Sequence, residues 1–595
     1  MATDRSTHDF PLRPTDPRPR RLRQRPALGK ALLLGALLLP LAACGGHGGM
    51  MTGSPRGGDG LESPYGSFLA ARHARITNEN GLAADYYLKA LQEDPDSSLL
   101  AQGAFLALLA DGRVAEATTL VPALRQHNPG DYLPRMTDAA SHMLARDYDG
   151  VLKLVADGPN TGIHAAFNPL LAAFAYAGKG DADNAMANLQ KLERHPLLSG
   201  VVAHLKPLML DMLNQVEPAD AAYREAIDGT ERPGTRLVGA YASFLERHGR
   251  AGDARQLLNQ QLALNPDNPI LLHALKQFEP GNKQAPVPLL SNAVDGLAEA
   301  MFASASAFGR GDGGELAELH LQLALFLRPD LDDARMLLGD IYESRDRWQD
   351  ALRAYSAVST NSAYTETARL RAAWCISELG RPDEAVRVLK AAAAADPKSP
   401  RPLLTLADLY RQRESWDDAA KYYTAALANI DHVEPRHWTI FFGRGIAYER
   451  ARQWDKAEAD MLKALELQPD QPSVLNYLGY SWVDMHRNME QATRMIERAA
   501  ALRPNDGAII DSLGWALYRQ GRYGDAVNQL ERAVELRGGD AVITDHLGDA
   551  YWRVGRHEEA RFQWRRALGL KPEQELQLQL QRKVDSGLDP VAAKN

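Results

Sequence analysis

The chain has 595 residues, is 45% hydrophobic and 24% charged, and carries a formal charge of −8. That acidic balance argues against nucleic acid or an anionic membrane surface as the main partner. Two cysteines in the whole length, Cys44 and Cys375, leave no room for a disulfide framework.

Residues 1–43 read as an address. Arg18, Arg20, Arg21, Arg23, Arg25 and Lys30 form a basic stretch, an apolar run Ala31–Leu39 follows, and Leu41-Ala42-Ala43-Cys44 closes it. A basic region, a short apolar core and a small-residue cleavage site make a secretory signal, and the core is well short of the roughly 20 residues a bilayer span needs. The Leu-Ala-Ala-Cys tetrad resembles a bacterial lipobox, which implies cleavage before Cys44 and diacylglyceryl transfer to it; the alternative is an ordinary signal with an incidental cysteine. The basic stretch is long enough for the true start to lie downstream. Arg20-Arg21 lacks the following apolar pair of twin-arginine export. Gly45 after the cysteine, in place of Asp, implies forwarding to the periplasmic face of the outer membrane. Residues 44–63 then form a tether, because a Gly-rich, nearly apolar-free segment cannot bury enough surface to order itself. A flexible coil of about 17 residues spans about 20–25 Å.

From residue 64 one pattern recurs. Leu513-Gly514, Ala526, Leu530 and Ala533 are followed 34 residues later by Leu547-Gly548, Ala560, Trp564 and Ala567. Gly445, Tyr448, Ala457, Ala464 and Pro469, and before them Gly339, Tyr342, Ala351 and Tyr355, keep the same internal spacing. A 34-residue helix–turn–helix unit with these small and aromatic sites and a closing proline is the tetratricopeptide repeat signature. The expected fold is therefore all-α, a solenoid of helical hairpins in two arrays. The second-helix small site falls at Ala83, Ala117, Ala185, Ala219, Ala254, Ala317, Ala351, Ala385, Ala419, Ala457, Ala492, Ala526 and Ala560. Hairpin turns are expected at Gly112, Gly180, Gly249, Gly380, Gly521 and Gly555, where only glycine adopts the left-handed helix-ending conformation without strain.

Unit starts fall near 64, 98, 131, 166, 200, 235, 298, 332, 366, 400, 438, 472, 507 and 541, with those at 131 and 200 degenerate. Register is lost around Pro280-Gly281 and Pro286-Val287-Pro288, so the reading places an N-terminal array at 64–279, a junction at 280–288 and a C-terminal array at 289–572. Leu271–Phe278 predicts one helix of a broken unit. Asn429–Pro435 is an insertion, and residues 573–595 hold a capping helix, Leu576–Leu588, and a tail.

The search for chemistry returns little. Gly309, Gly311, Gly313 and Gly314 lack the Gly-Lys-Ser/Thr of a phosphate loop. Asp431, His432, Glu434 and His437 match no zinc spacing, and His557-Glu558-Glu559 lacks the second histidine of a zincin helix. Cys375 reads as a buried structural thiol. No catalytic residue, metal site or cofactor is assigned, and the chain reads as a non-enzyme. Trp348, Trp416, Trp454 and Tyr523 share one phase of the repeat and read as packing residues.

The repeat resemblance implies that first helices line an inner face. In the last three units the inward sites are Asn476, Tyr480, Asp511, Trp515, Tyr518, Asp545, Asp549 and Trp552, aromatics beside carboxylates that suit capture of a polypeptide segment; the packing alternative for Trp515 and Trp552 stays open. Asp511 and Asp545 stand where a chaperone-tail clamp needs cations, so the groove is expected to prefer basic or neutral ligands. The stretch Asn476-Tyr477-Leu478-Gly479-Tyr480 to Arg503-Pro504-Asn505-Asp506, with Asp511-Ser512-Leu513-Gly514-Trp515 and Asp545-His546-Leu547-Gly548-Asp549, resembles a group of large repeat lipoproteins of the bacterial envelope. That resemblance covers about the last 100 residues closely. It implies an adaptor that binds a carboxyl-terminal processing protease (a periplasmic serine protease with a PDZ domain) and brings it cell-wall hydrolases, with the membrane reached only through the lipid anchor. The other expectation is a scaffold for polysaccharide export or outer-membrane protein insertion.

Overall fold

The computed structural model describes residues 64–278, 285–308 and 314–589; the signal, Cys44, the tether and the run Gly309–Gly313 lie outside them. Every regular element among the described residues is helical. The chain divides between Ala392 and Ala393 into two compact units.

In the first unit the hairpins are α1–α2 (Pro64–Ile76, Asn80–Glu93), α3–α4 (Ser98–Asp111, Val114–His127), α5–α6 (Tyr132–Leu144, Tyr148–Ala156) and α7–α8 (Ile163–Gly178, Ala182–Gln190). Next come α9–α10 (Ser199–Met212, Val216–Asp228) and α11–α12 (Thr235–Arg247, Ala251–Leu264). A lone α13 (Pro269–Lys276) packs on α11 and α12, as the broken unit predicts. The unit ends with α14–α15 (Ala293–Phe308, Gly314–Leu327), α16–α17 (Asp332–Ser344, Trp348–Ser356) and α18–α19 (Thr365–Glu378, Pro382–Ala395). The second unit has α20–α21 (Arg401–Gln412, Trp416–Ala428), α22–α23 (Trp438–Arg450, Trp454–Leu467), α24–α25 (Pro472–Asp484, Met489–Leu502), α26–α27 (Gly507–Arg519, Tyr523–Leu536), α28–α29 (Ala541–Arg553, His557–Gly569) and a single α30 (Gln574–Ser586). All fourteen expected starts are occupied by a hairpin, the two degenerate ones included.

The hairpins close through residues with almost no side chain. All thirteen second-helix alanines are 0% exposed. On the first helix the matching site is glycine in the clearest repeats: a Cβ on Gly514 would lie 2.6 Å from Leu530 Cγ, and one on Gly548 would lie 2.4 Å from Trp564 Nε1. The turn has its own constraint. Gly112, Gly180, Gly249, Gly380, Gly521 and Gly555 all have φ of 76° to 84°, as expected. The glycine-free hairpins bend the same way: Asn78, Arg146, Asn214, Asp346, Glu414, Arg452 and His486 sit at φ of 53° to 61°. The left-handed step is thus required by the hairpin and only made cheaper by glycine.

The boundary of the first unit falls inside the last turn of α19 and not at 280–288, because the hairpin after the junction packs back on the helices before it. α14 lies against α5, α7 and α9, and α15 against α3, α4 and α5. Phe174 of α7 fills the space beside Gly296, where a Cβ would sit 2.2 Å from its ring. Tyr132 on α5 hydrogen-bonds His320 Nε2 on α15 at 2.8 Å, and Phe167 meets the same imidazole edge-on at 5.0 Å. Burial pushes His320 down to about 4, so it is neutral. The Gln322 amide donates to the Ala110 carbonyl at 3.4 Å. At the other end Glu299 is fully buried, bonds His204 at 2.8 Å, and accepts twice from Arg236 at 2.8 and 2.7 Å. Arg236 also pairs with Asp333, which accepts from Tyr364 at 2.8 Å. Burial alone would raise the Glu299 pKa; Arg236 and His204 override it and hold the carboxyl well below its usual range. Stability from this network is therefore retained until pH falls far below neutrality.

Two outcomes test these contacts. Gly548→Ala should cost about 1–3 kcal/mol in urea unfolding, since the new methyl overpacks a helix contact with no free volume. Glu299→Gln should destabilise the first unit by about 3–5 kcal/mol, leaving Arg236 buried against one carboxylate fewer; hydrogen exchange of α9, α11 and α14 would localise the loss.

Candidate functional site

The eight inward sites lie on consecutive first helices: Asn476 and Tyr480 on α24, Asp511, Trp515 and Tyr518 on α26, Asp545, Asp549 and Trp552 on α28. α24 packs on α26 and α26 on α28, so these residues do come together along one wall. The aromatic part is half-buried. The Trp515 ring stacks on Tyr518 at 4.9 Å and 8°, and on His546 at 4.1 Å and 15°. Tyr518 accepts from Arg553 Nε at 3.2 Å. Trp552 lies between His557 at 4.2 Å and Trp564 at 5.4 Å, so it is a packing residue and a surface residue at once. The indole N–H of Trp515 and the side-chain oxygen of Asn476 are buried without a hydrogen-bond partner.

The carboxylates depart from expectation. Asp511, Asp545 and Asp549 are each 5% exposed and do not line an open acidic groove. Asp511 accepts from His546 Nδ1 at 2.9 Å. Lys583 of α30 donates to both oxygens of Asp545, at 2.7 and 2.8 Å, and to Asp549 at 2.8 Å; the Trp564 N–H donates to Asp549 at 3.0 Å. The reason is geometric. Adjacent first helices stand one repeat apart, and the wall positions that face the next helix are the ones these aspartates hold. An open face is left only for the aromatics. Lys583 was missed by sequence reasoning, although the spacing Leu576, Leu580, Lys583, Val584 gives α30 an inner stripe at i, i+4, i+7 and i+8.

Burial first, and the Asp545 carboxylate second, push Asp549 up to about 6 against the pull of Lys583. Burial would lower His546, but the Asp511 carboxylate bonded to it raises it.

The other candidates resolve locally. His437 Nδ1 accepts from the Glu434 backbone N–H at 2.9 Å, capping a 3₁₀ turn at Pro435–His437. Cys375 is fully buried, and burial pushes its thiol up to about 12. The four turn-phase aromatics Trp348, Trp416, Trp454 and Tyr523 each begin a second helix and are half-buried. No helix among the described residues is long and apolar enough to cross a membrane.

A family model for the tetratricopeptide repeat matches residues 337–400, 377–433, 404–472, 486–541 and 512–575. A TPR repeat-containing protein of Pseudomonas aeruginosa is 28% identical over 197 residues, 33% of this chain; the match spans 32% of that protein's own length. Among solved structures, a tetratricopeptide repeat protein from Parabacteroides merdae is 16% identical, with a TM-score of 0.35 over 43% of this chain and 99% of its own. YrrB, described as a TPR protein with an unusual peptide-binding site, is 21% identical, with a TM-score of 0.27 over 33% of this chain and 97% of its own.

The buried pair on α28 sets a pH dependence. Asp549 holds its proton more tightly folded than unfolded, so its contribution to stability is lost as pH rises from about 4 through about 6. His546, raised as well, acts in the same direction. Asp549→Asn should therefore stabilise the second unit more at pH 7.5 than at pH 5, by about 1 kcal/mol, as read by the difference in urea midpoints.

Proposed function

We propose that the chain is a tetratricopeptide repeat scaffold, anchored by lipid in the periplasm, that brings a carboxyl-terminal processing protease to cell-wall hydrolases. The repeat fold is typically a non-catalytic scaffold that binds other proteins. The observation that carries this reading is the contrast between the two inner walls. In the first unit, α14–α15 of the same chain already lie on the first helices α3, α5, α7 and α9. In the second, Tyr480, Trp515, Tyr518 and Trp552 are half-buried, each keeping part of its surface open along α24, α26 and α28. Rigid aromatics with few rotamers to lose are efficient contacts for a polypeptide. The anchor rests on the lipobox-like Leu41-Ala42-Ala43-Cys44. Holding protease and substrate on one tethered scaffold turns a bimolecular encounter into a local one.

The decisive experiment is co-purification from detergent-solubilised envelopes with the tagged full chain. A serine protease with a PDZ domain, lost with Trp515→Ala/Tyr518→Ala, is the expected companion; an outer-membrane channel or export complex in its place would replace the adaptor by an assembly scaffold. Cys44→Ser should abolish labelling by radioactive palmitate and release the protein from the membrane fraction.

A further inference from the structure

α30 stands where a fifteenth first helix would stand. The 34-residue step that carries Asp511 to Asp545 carries Asp549 to Lys583 and Asp545 to Gln579. Yet the helix is held shallowly. Leu580 is its one fully buried residue, with Leu576 and Val584 half-buried and Leu578 57% exposed, whereas α26 and α28 each bury nine residues. Its main tie is Lys583, whose ammonium serves two carboxylates at once.

That seat is short of positive charge. Facing it from α28 are Asp545, Asp549 and His546, from α26 Asp511, from α29 the neutral Trp564 N–H, and from α30 Lys583 alone. His546 is taken by Asp511, and Arg553 is turned away to Tyr518 and to the Asp589 carbonyl at 2.8 Å. Two buried carboxylates therefore share one cation, in a place where leaving a charge unmatched is costly. Beside them lies an apolar surface: Gly587 touches the Trp552 ring so closely that a Cβ there would come within 2.0 Å of it. One turn before Lys583, at the position the 34-residue step aligns with Asp545, stands the neutral and exposed Gln579.

We propose that the surface of α28 and α29 beneath α30 is a docking seat for an amphipathic helix of a partner protein that carries two basic residues one turn apart beside an apolar stripe, and that α30 is its weaker resident occupant. The proposal rests on the scaffold reading and deepens it. A partner helix with the second cation matches both carboxylates, repeats the i, i+4, i+7, i+8 stripe of α30, and competes for the seat without unfolding the repeats around it.

The probe is a fluorescent peptide of residues 573–589 with Gln579→Lys, compared with the unaltered peptide by anisotropy against the full chain. The doubly cationic peptide should bind at least tenfold tighter. Lys583→Met in the chain, which frees the seat, should strengthen both peptides; Asp545→Asn/Asp549→Asn should erase the preference for the second lysine. Equal affinity of the two peptides, or a preference that survives the asparagine pair, overturns the proposal. A second readout is independent of competition: Gln579→Lys in the chain itself should raise the thermal midpoint of the second unit, and should not do so in the Asp545→Asn background. An unchanged midpoint in the parent background counts against the seat. Envelope co-purification fails or succeeds separately, so the seat and the scaffold reading are judged apart.

Discussion

The structure depends on a contact that side chains must stay out of. In thirteen of the fourteen hairpins two antiparallel helices meet at an alanine that is completely buried, with Val151 in its place in α5–α6, and in the best-formed repeats at a glycine whose missing Cβ is occupied by Leu530, Tyr355 or Trp564 of the facing helix. Close approach lets backbones meet over a short distance and leaves the large residues to interlock around the contact. The spacing between that contact and the left-handed turn then fixes where the second helix starts. Repetition of this one geometry, more than any particular sequence, is what stacks the hairpins within each unit.

This is why the hairpins were legible and their wider packing was not. The second-helix alanine survives as Ala219 in the unit starting near 200, while the unit starting near 131, with Val151 at that site, is placed by the 34-residue step alone. Their turns are bent by Arg146 and Asn214 at φ near 57°, a conformation that neither residue advertises. The return of α14–α15 onto the first helices is another matter. Gln322 meets Ala110 across 212 positions, and no 34-residue periodicity encodes that encounter. What the sequence did carry was a weaker sign: Gly314–Leu327 is apolar almost all round, as befits a helix covered on every side and not a surface helix with one buried stripe. The loss of register near 280–288 was real, but it marks a reversal of packing within one unit.

The candidate site divides along the same line. That Trp515, Tyr518 and Trp552 share a wall followed from repeat phase. That Asp511, Asp545 and Asp549 are spent inside the helix contacts did not, because phase places a residue on a face without saying whether the next helix covers it. A carboxylate on such a boundary reads as a ligand-facing charge until its partner is known, and here the partners, His546 and Lys583, stand 35 and 38 residues on.

The two units solve the same electrostatic problem with opposite outcomes. Glu299 sits in full burial but accepts twice from Arg236 and bonds His204, and its carboxyl is held well below its usual range; Arg236 pairs in turn with Asp333. On α28 two aspartates face a single lysine, and the deficit appears as a carboxyl driven up to about 6. A buried carboxyl whose donors hold it ionised adds rigidity through its network. One that is short by a single cation retains an unfilled preference, at the point where the array ends and its last helix is most loosely held. For the proposed scaffold role, that imbalance is a more selective feature than an exposed acidic patch, because only a group that also covers the apolar rim can satisfy it.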